Sequence, residues 1–146
     1  MHVRQNQIDL FSIDLYAGGA SYLPPYPDPH DPRQEIQMVA KMVVDHMRPR
    51  LRAHQKLMLV PGLFGDRNVS RSGTMEDQDD YLVAKLNATV AYAESQPDIV
   101  GLIPWHWLSP PKSYAIYSTI FGLGIESFPK LIARLDELGK QISGEG

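Results

Sequence analysis

Short apolar runs alternate along this chain with longer stretches in which apolar residues recur at three- and four-residue steps. The first run, "QIDLFSIDLY" at residues 7–16, is rich in β-favouring residues and closed by "AGGA", which predicts a strand. "SYLPPYPDPHDP" follows, and its five prolines and two aspartates predict a long loop. Asp31 and Pro32 suit the cap and first turn of a helix running to about Arg52, where Ile36, Val39, Ala40, Val43, Met47 and Leu51 form one apolar stripe. Pro49 kinks or ends that helix. "KLMLVPGLFGD" is an unbroken apolar run closed by glycines, the pattern of a strand covered on both faces in a parallel sheet.

The polar stretch "RNVSRSGTMEDQDD" reads as a second long loop. It leads into a helix whose stripe is Leu82, Leu86, Val90 and Ala93 and which ends in "SQPD". "IVGLIPWHW" is the third strand and "LSPPKS" the next loop, whereas "YAIYSTIFGLG" is ambiguous. Ser127 with Pro129 predicts the start of a last helix, with Phe128, Leu131, Ile132, Leu135, Leu138 and Ile142 on its buried side. The expected fold class is therefore α/β: three βα units with parallel strands in one domain, the long βα loops at the carboxyl edge of the sheet.

Composition narrows the function classes. A hydrophobic fraction of 43% with 21% charged residues is ordinary for a globular chain and points away from disorder. Fourteen basic against seventeen acidic side chains, without a long basic block, make nucleic acid a poor partner. The one basic cluster, "RPRLRAH", lies where cations complement a helix carboxyl end. With no cysteine there is no disulfide, thiolate site or cysteine nucleophile. "MHVRQNQIDL" has no apolar signal core and no run approaches the roughly eighteen residues that span a bilayer, so no membrane partner and a cytoplasmic setting are expected. The sequons at Asn68 and Asn87 read as accidental, the second lying mid-helix.

The succession "IDLFSIDLY", "HQKLMLVPGLFGD" and "DIVGLIPWHW", followed by "GIESFPKLIARLDELGKQI", resembles the C-terminal portion of a glycoside-hydrolase-like (β/α)8 barrel over nearly the whole chain. The resemblance implies part of a TIM barrel, a site at the carboxyl strand ends, and aromatic residues flooring a sugar site, the role that would fall to Trp105 and Trp107. A complete barrel has eight strands where this chain supplies three or four. The expectation is therefore a part-barrel whose open edges meet copies of itself or a barrel-completing partner, with a fragment of a longer product or a small open three-layer α/β domain as the alternatives. Barrels of this likeness usually carry strand-end glutamates, and here no strand ends in Glu. Asp14 and Asp66 are the carboxylates in corresponding places.

The candidate chemistry follows. Asp14 in the apolar "FSIDLY" is a candidate general acid or base, because burial favours a neutral carboxyl; the alternative is a carboxylate bonded to loop amides or an arginine. Asp66 is the second candidate carboxylate, although "GDRN" is also an ordinary turn. Tyr16 shares the alternate-residue face with Asp14 and would orient a substrate or anchor the loop. His106 is a substrate contact or a structural histidine, while Trp105 and Trp107 on the opposite face either stack on sugar rings or pack in a core or interface. The histidines are scattered and no nucleophile elbow, phosphate loop or complete dinucleotide fingerprint is present, so no metal and no cofactor are expected. These residues define either a glycosidase-like hydrolase or carbohydrate-binding protein taking a small-molecule or oligosaccharide ligand, or a non-catalytic part-barrel module that self-associates.

Overall fold

A computed structural model describes residues 9–15, 32–65, 74–105 and 123–144. In chain order its main elements are β1 (Leu10–Leu15), α1 (Pro32–Met47), β2 (Lys56–Pro61), α2 (Met75–Glu94), β3 (Ile99–Leu102) and α3 (Pro129–Ser143). The three strands form one sheet in the order β1-β2-β3, and both pairings are parallel. The chain is thus α/β with three βα units whose strands neighbour one another in sequence order. Two compact units are drawn from it: Met1–Gly62 with Asn87–Pro104, and Leu63–Leu86 with Trp105–Gly146.

The first unit holds the sheet. Successive residues of a strand point to opposite faces, so Phe11, Ile13 and Leu15 share a face, as do Leu57 and Leu59 beside them. Ile13, Leu15, Leu57 and Leu59 are buried against Ile36, Ala40 and Val44 of α1, and Ala88, Tyr92 and Ala93 of α2 pack on the same cluster. Both helices therefore lie on one face, the partial-barrel-like arrangement. The expected α1 stripe is only half right: Val44 is fully buried, whereas Val39, Val43, Met47 and Leu51 are partly buried at its margin.

The other face departs from the expectation of cover on both sides. Leu10, Ser12 and Asp14 are exposed there and Met58 is half-buried; only Val60, near the carboxyl end of β2, is buried. An apolar run reveals that a strand is buried but not how much of each face is.

α1 ends at Met47, earlier than Arg52, in a 3-10 turn over Arg48–Arg50 that accommodates Pro49. Arg48 closes this corner. Its Nε and Nη2 donate to the two carboxylate oxygens of Asp98 at 2.7 and 2.8 Å, and Nη2 also donates to Gln96 Oε1 at 2.7 Å. This bidentate pair ties the end of α1 to the start of β3. Its hydrogen bonds hold the Asp98 carboxyl below the usual carboxylate range. A carboxyl depressed in the folded state adds stability above its unfolded pKa, and that contribution is lost as pH falls through the folded value. Asp98→Asn is accordingly expected to cost about 0.5–1 kcal/mol at pH 7, discounted because Arg48 is part-exposed. Urea titrations should show the gap to wild type closing as pH falls below about 4.

The second unit buries Leu63, Leu82, Leu86, Ile125, Phe128 and Leu131. α2 begins with a reciprocal cap in which Asp77 N donates to Thr74 Oγ1 at 3.1 Å and Thr74 N to Asp77 Oδ2 at 2.8 Å. Hydrogen bonds from the Thr74 hydroxyl and amide keep the Asp77 carboxyl below its ordinary range. α3 corrects the expected cap. Ser127 lies in a preceding 3-10 turn, Phe128 is the capping residue, and no side chain of that position bonds the helix. Ile142, predicted on the buried stripe, is 87% exposed in the last turn. The helix stops at Gly144, whose φ of 75° is the left-handed conformation glycine adopts without a Cβ penalty. Among the described residues no helix is long and apolar enough to cross a membrane.

Candidate functional site

Parallel pairing brings all three strand ends to one edge of the sheet, where α/β proteins ordinarily place their sites. Pairing continues past the strands there: Gly62 N donates to Leu15 O at 3.0 Å and Ile103 N to Leu59 O at 2.8 Å. Asp14, in the penultimate position of β1 and in register with Val60, is exposed on the face opposite the helices. The expected burial of its carboxylate is therefore not found, because alternation turns it away from the Ile13 and Leu15 side.

Trp105 is the other candidate that the structure describes. β3 ends at Leu102 rather than continuing through 107, and Pro104 offers no N–H for further pairing. Trp105 returns to the backbone network through its carbonyl, which accepts from Leu63 N. The residue is 43% exposed and belongs to the second unit, whereas Asp14 belongs to the first. Tyr16, Asp66, His106 and Trp107 lie outside the described residues, as does Asp31.

The buried side of α2 also carries polar side chains that an apolar stripe count overlooks. Gln78, Asp79, Lys85 and Thr89 of α2 are all at most 5% exposed. Positions 78, 82, 85 and 89 follow the three- and four-residue steps of one helix face, so the buried side of α2 mixes polar residues with Leu82. That spacing was visible in the sequence. Asp79 has a defined partner in α3: Lys130 N donates to its Oδ2 and Leu131 N to its Oδ1, both at 2.9 Å. The amino end of α3, a place where anions commonly bind, is thus occupied by the chain's own carboxylate. Lys130 reinforces the junction, its Nζ lying 2.7 Å from Asp80 Oδ1 and 3.1 Å from Glu76 Oε1.

Gly65 lies between these parts. It pairs with Leu123 through two backbone bonds of 2.9 and 2.8 Å, and a Cβ placed on it would overlap Phe128 Cζ and Gln78 Oε1. Glycine is required here by close approach rather than by a left-handed backbone. Among the described residues no group of three or more histidine, aspartate or glutamate side chains could hold a metal ion.

Comparison with family models, with curated proteins and with solved structures returns no match. The class that the fold itself defines is a partial-barrel-like α/β chain of three βα units, helix-covered on one face of its parallel sheet.

Proposed function

We propose that this chain is a part-barrel of glycoside-hydrolase type that recognises an oligosaccharide near its carboxyl strand ends. The observation that carries this reading is Trp105, whose residue is 43% exposed just past β3. A large indole at such a position suits stacking on a sugar face. Tyr16, His106 and Trp107 are the proposed companions in substrate contact.

The test is a panel of neutral and acidic oligosaccharides screened by thermal shift, followed by calorimetric titration of any that stabilise. A ligand at about one hundred times its Kd adds about 2.7 kcal/mol to stability, which a melting curve resolves. Trp105→Ala is expected to weaken that binding by about tenfold or more, with Trp105→Phe intermediate. A panel in which no sugar raises the melting temperature, or an alanine variant that binds as wild type, would refute the proposal. The hydrolytic form of the same reading assigns Asp14 and Asp66 as the carboxylate pair; it requires glycoside turnover that Asp14→Asn abolishes without changing the melting curve.

A further inference from the structure

The sheet face opposite α1 and α2 carries a charge pattern that sugar stacking on Trp105 does not use. Alternation and register place Leu10 beside Lys56 in one row, Ser12 beside Met58 and Gly101 in the next, and Asp14 beside Val60 in the third. All of these positions belong to the first unit. Leu10, Val100 and Ile103 on the flanking strands are 42%, 56% and 48% exposed, although parallel sheets are ordinarily covered on both faces. Apolar positions left open on a parallel sheet face suit a contact with another molecule.

We propose that this face is the interface of a homodimer in which two copies stack with their strands antiparallel, Asp14 of each meeting Lys56 of the other. The charges select both the occupant and its orientation. Lys56 stands in the amino-terminal row and Asp14 in the carboxyl-terminal row, roughly 13 Å apart along the strands. Stacking with strands parallel brings Asp14 toward Asp14 and Lys56 toward Lys56, a repulsive arrangement. Reversing the second copy brings each carboxylate over an ammonium, and a two-fold axis makes the pair twice. Such self-complementarity is what an isologous interface needs. Sheets pack about 10 Å apart, a gap that the long Lys56 side chain would bridge on exchanging its 3.4 Å bond to the Pro97 carbonyl for the carboxylate, while Leu10, Val100 and Ile103 fill the space between.

The proposal does not rest on sugar binding at Trp105 and competes with the hydrolytic use of Asp14, and its test separates it from both. Light scattering on a sizing column, over a dilution series, is run on wild type, Asp14→Lys, Lys56→Asp and the double swap. Wild type is expected to be dimeric at micromolar concentration, each single swap to raise the dissociation constant about tenfold or more, and the double swap to restore the dimer. A wild type that is monomeric at every concentration overturns the proposal. So do single swaps that dimerise unchanged, or a double swap that stays monomeric with an intact melting curve. Val100→Glu, at an exposed position without a charge partner, supplies a second variant should a swap fail to fold, and it too is expected to be monomeric. Trp105→Ala is expected to remain a dimer, so a loss of sugar binding leaves this result untouched.

Discussion

Phe128→Ala is expected to lower stability by about 3–5 kcal/mol, the largest loss from any single truncation in the second unit. Phe128 is fully buried, caps α3, and its ring lies against the backbone of Gly65, which has no side chain to move into the space. Truncation therefore removes apolar area and leaves a cavity that a hydrogen-bonded backbone, fixed to Leu123 on both sides, is poorly able to fill. Urea unfolding followed by tryptophan fluorescence measures the loss. A change below about 1 kcal/mol would mean that the space collapses and that Phe128 is not the anchor argued here.

Asp79→Ala is the second large effect, expected at about 2–4 kcal/mol. Ordinary capping substitutions on an exposed helix cost about 1 kcal/mol. Here the carboxylate is 3% exposed, it accepts two bonds at once, and the amides of Lys130 and Leu131 have no capping side chain of their own. Asp79→Asn separates charge from shape. It keeps one oxygen acceptor for one amide while its NH2 opposes the other, so about half of the loss should remain. If asparagine matches wild type in the same urea titration, the pairing with the helix end carries no charge-assisted energy.

Much of the fold was legible in the sequence because its signals are local. "KLMLV" is too apolar and too short to be anything but a buried strand beside helices that show clear stripes, and β2 is found there. The errors lie where tertiary partners decide. α1 stops at Met47 because Pro49 forces a change of backbone and Arg48 reaches Asp98, a partner fifty residues away. Ser127 looked like a cap because serine so often is one, yet the cap comes from Asp79 on another helix. Ile142 kept the stripe's spacing but falls in a last turn with nothing over it.

The candidate site divides in the same way. The positions of Asp14 and Trp105 close to strand ends could be read directly, since strand termini follow from runs and breakers. The exposure of Asp14 could not, because whether a residue in an apolar run faces a helix layer or open solvent depends on parity and on what covers the second face. The polar side of α2 was hidden by counting only leucine, valine and alanine, although Gln78, Lys85 and Thr89 keep helical register with Leu82.

Parity also governs the strand that precedes Trp105. Leu57 pairs with Ile99 but its neighbour Met58 pairs with Gly101, so β3 holds one more residue than β2 at that point, and Val100 is the surplus. The insertion explains how Ile99 and Leu102, three apart, both reach the helix-covered side, and why Ile103 turns outward. Swapping Val100 for another side chain leaves this bookkeeping of faces intact. Excising it would keep the faces as well, since Ile99, Gly101 and Leu102 would then alternate regularly opposite Leu57, Met58 and Leu59, so this position should accept loss as well as replacement.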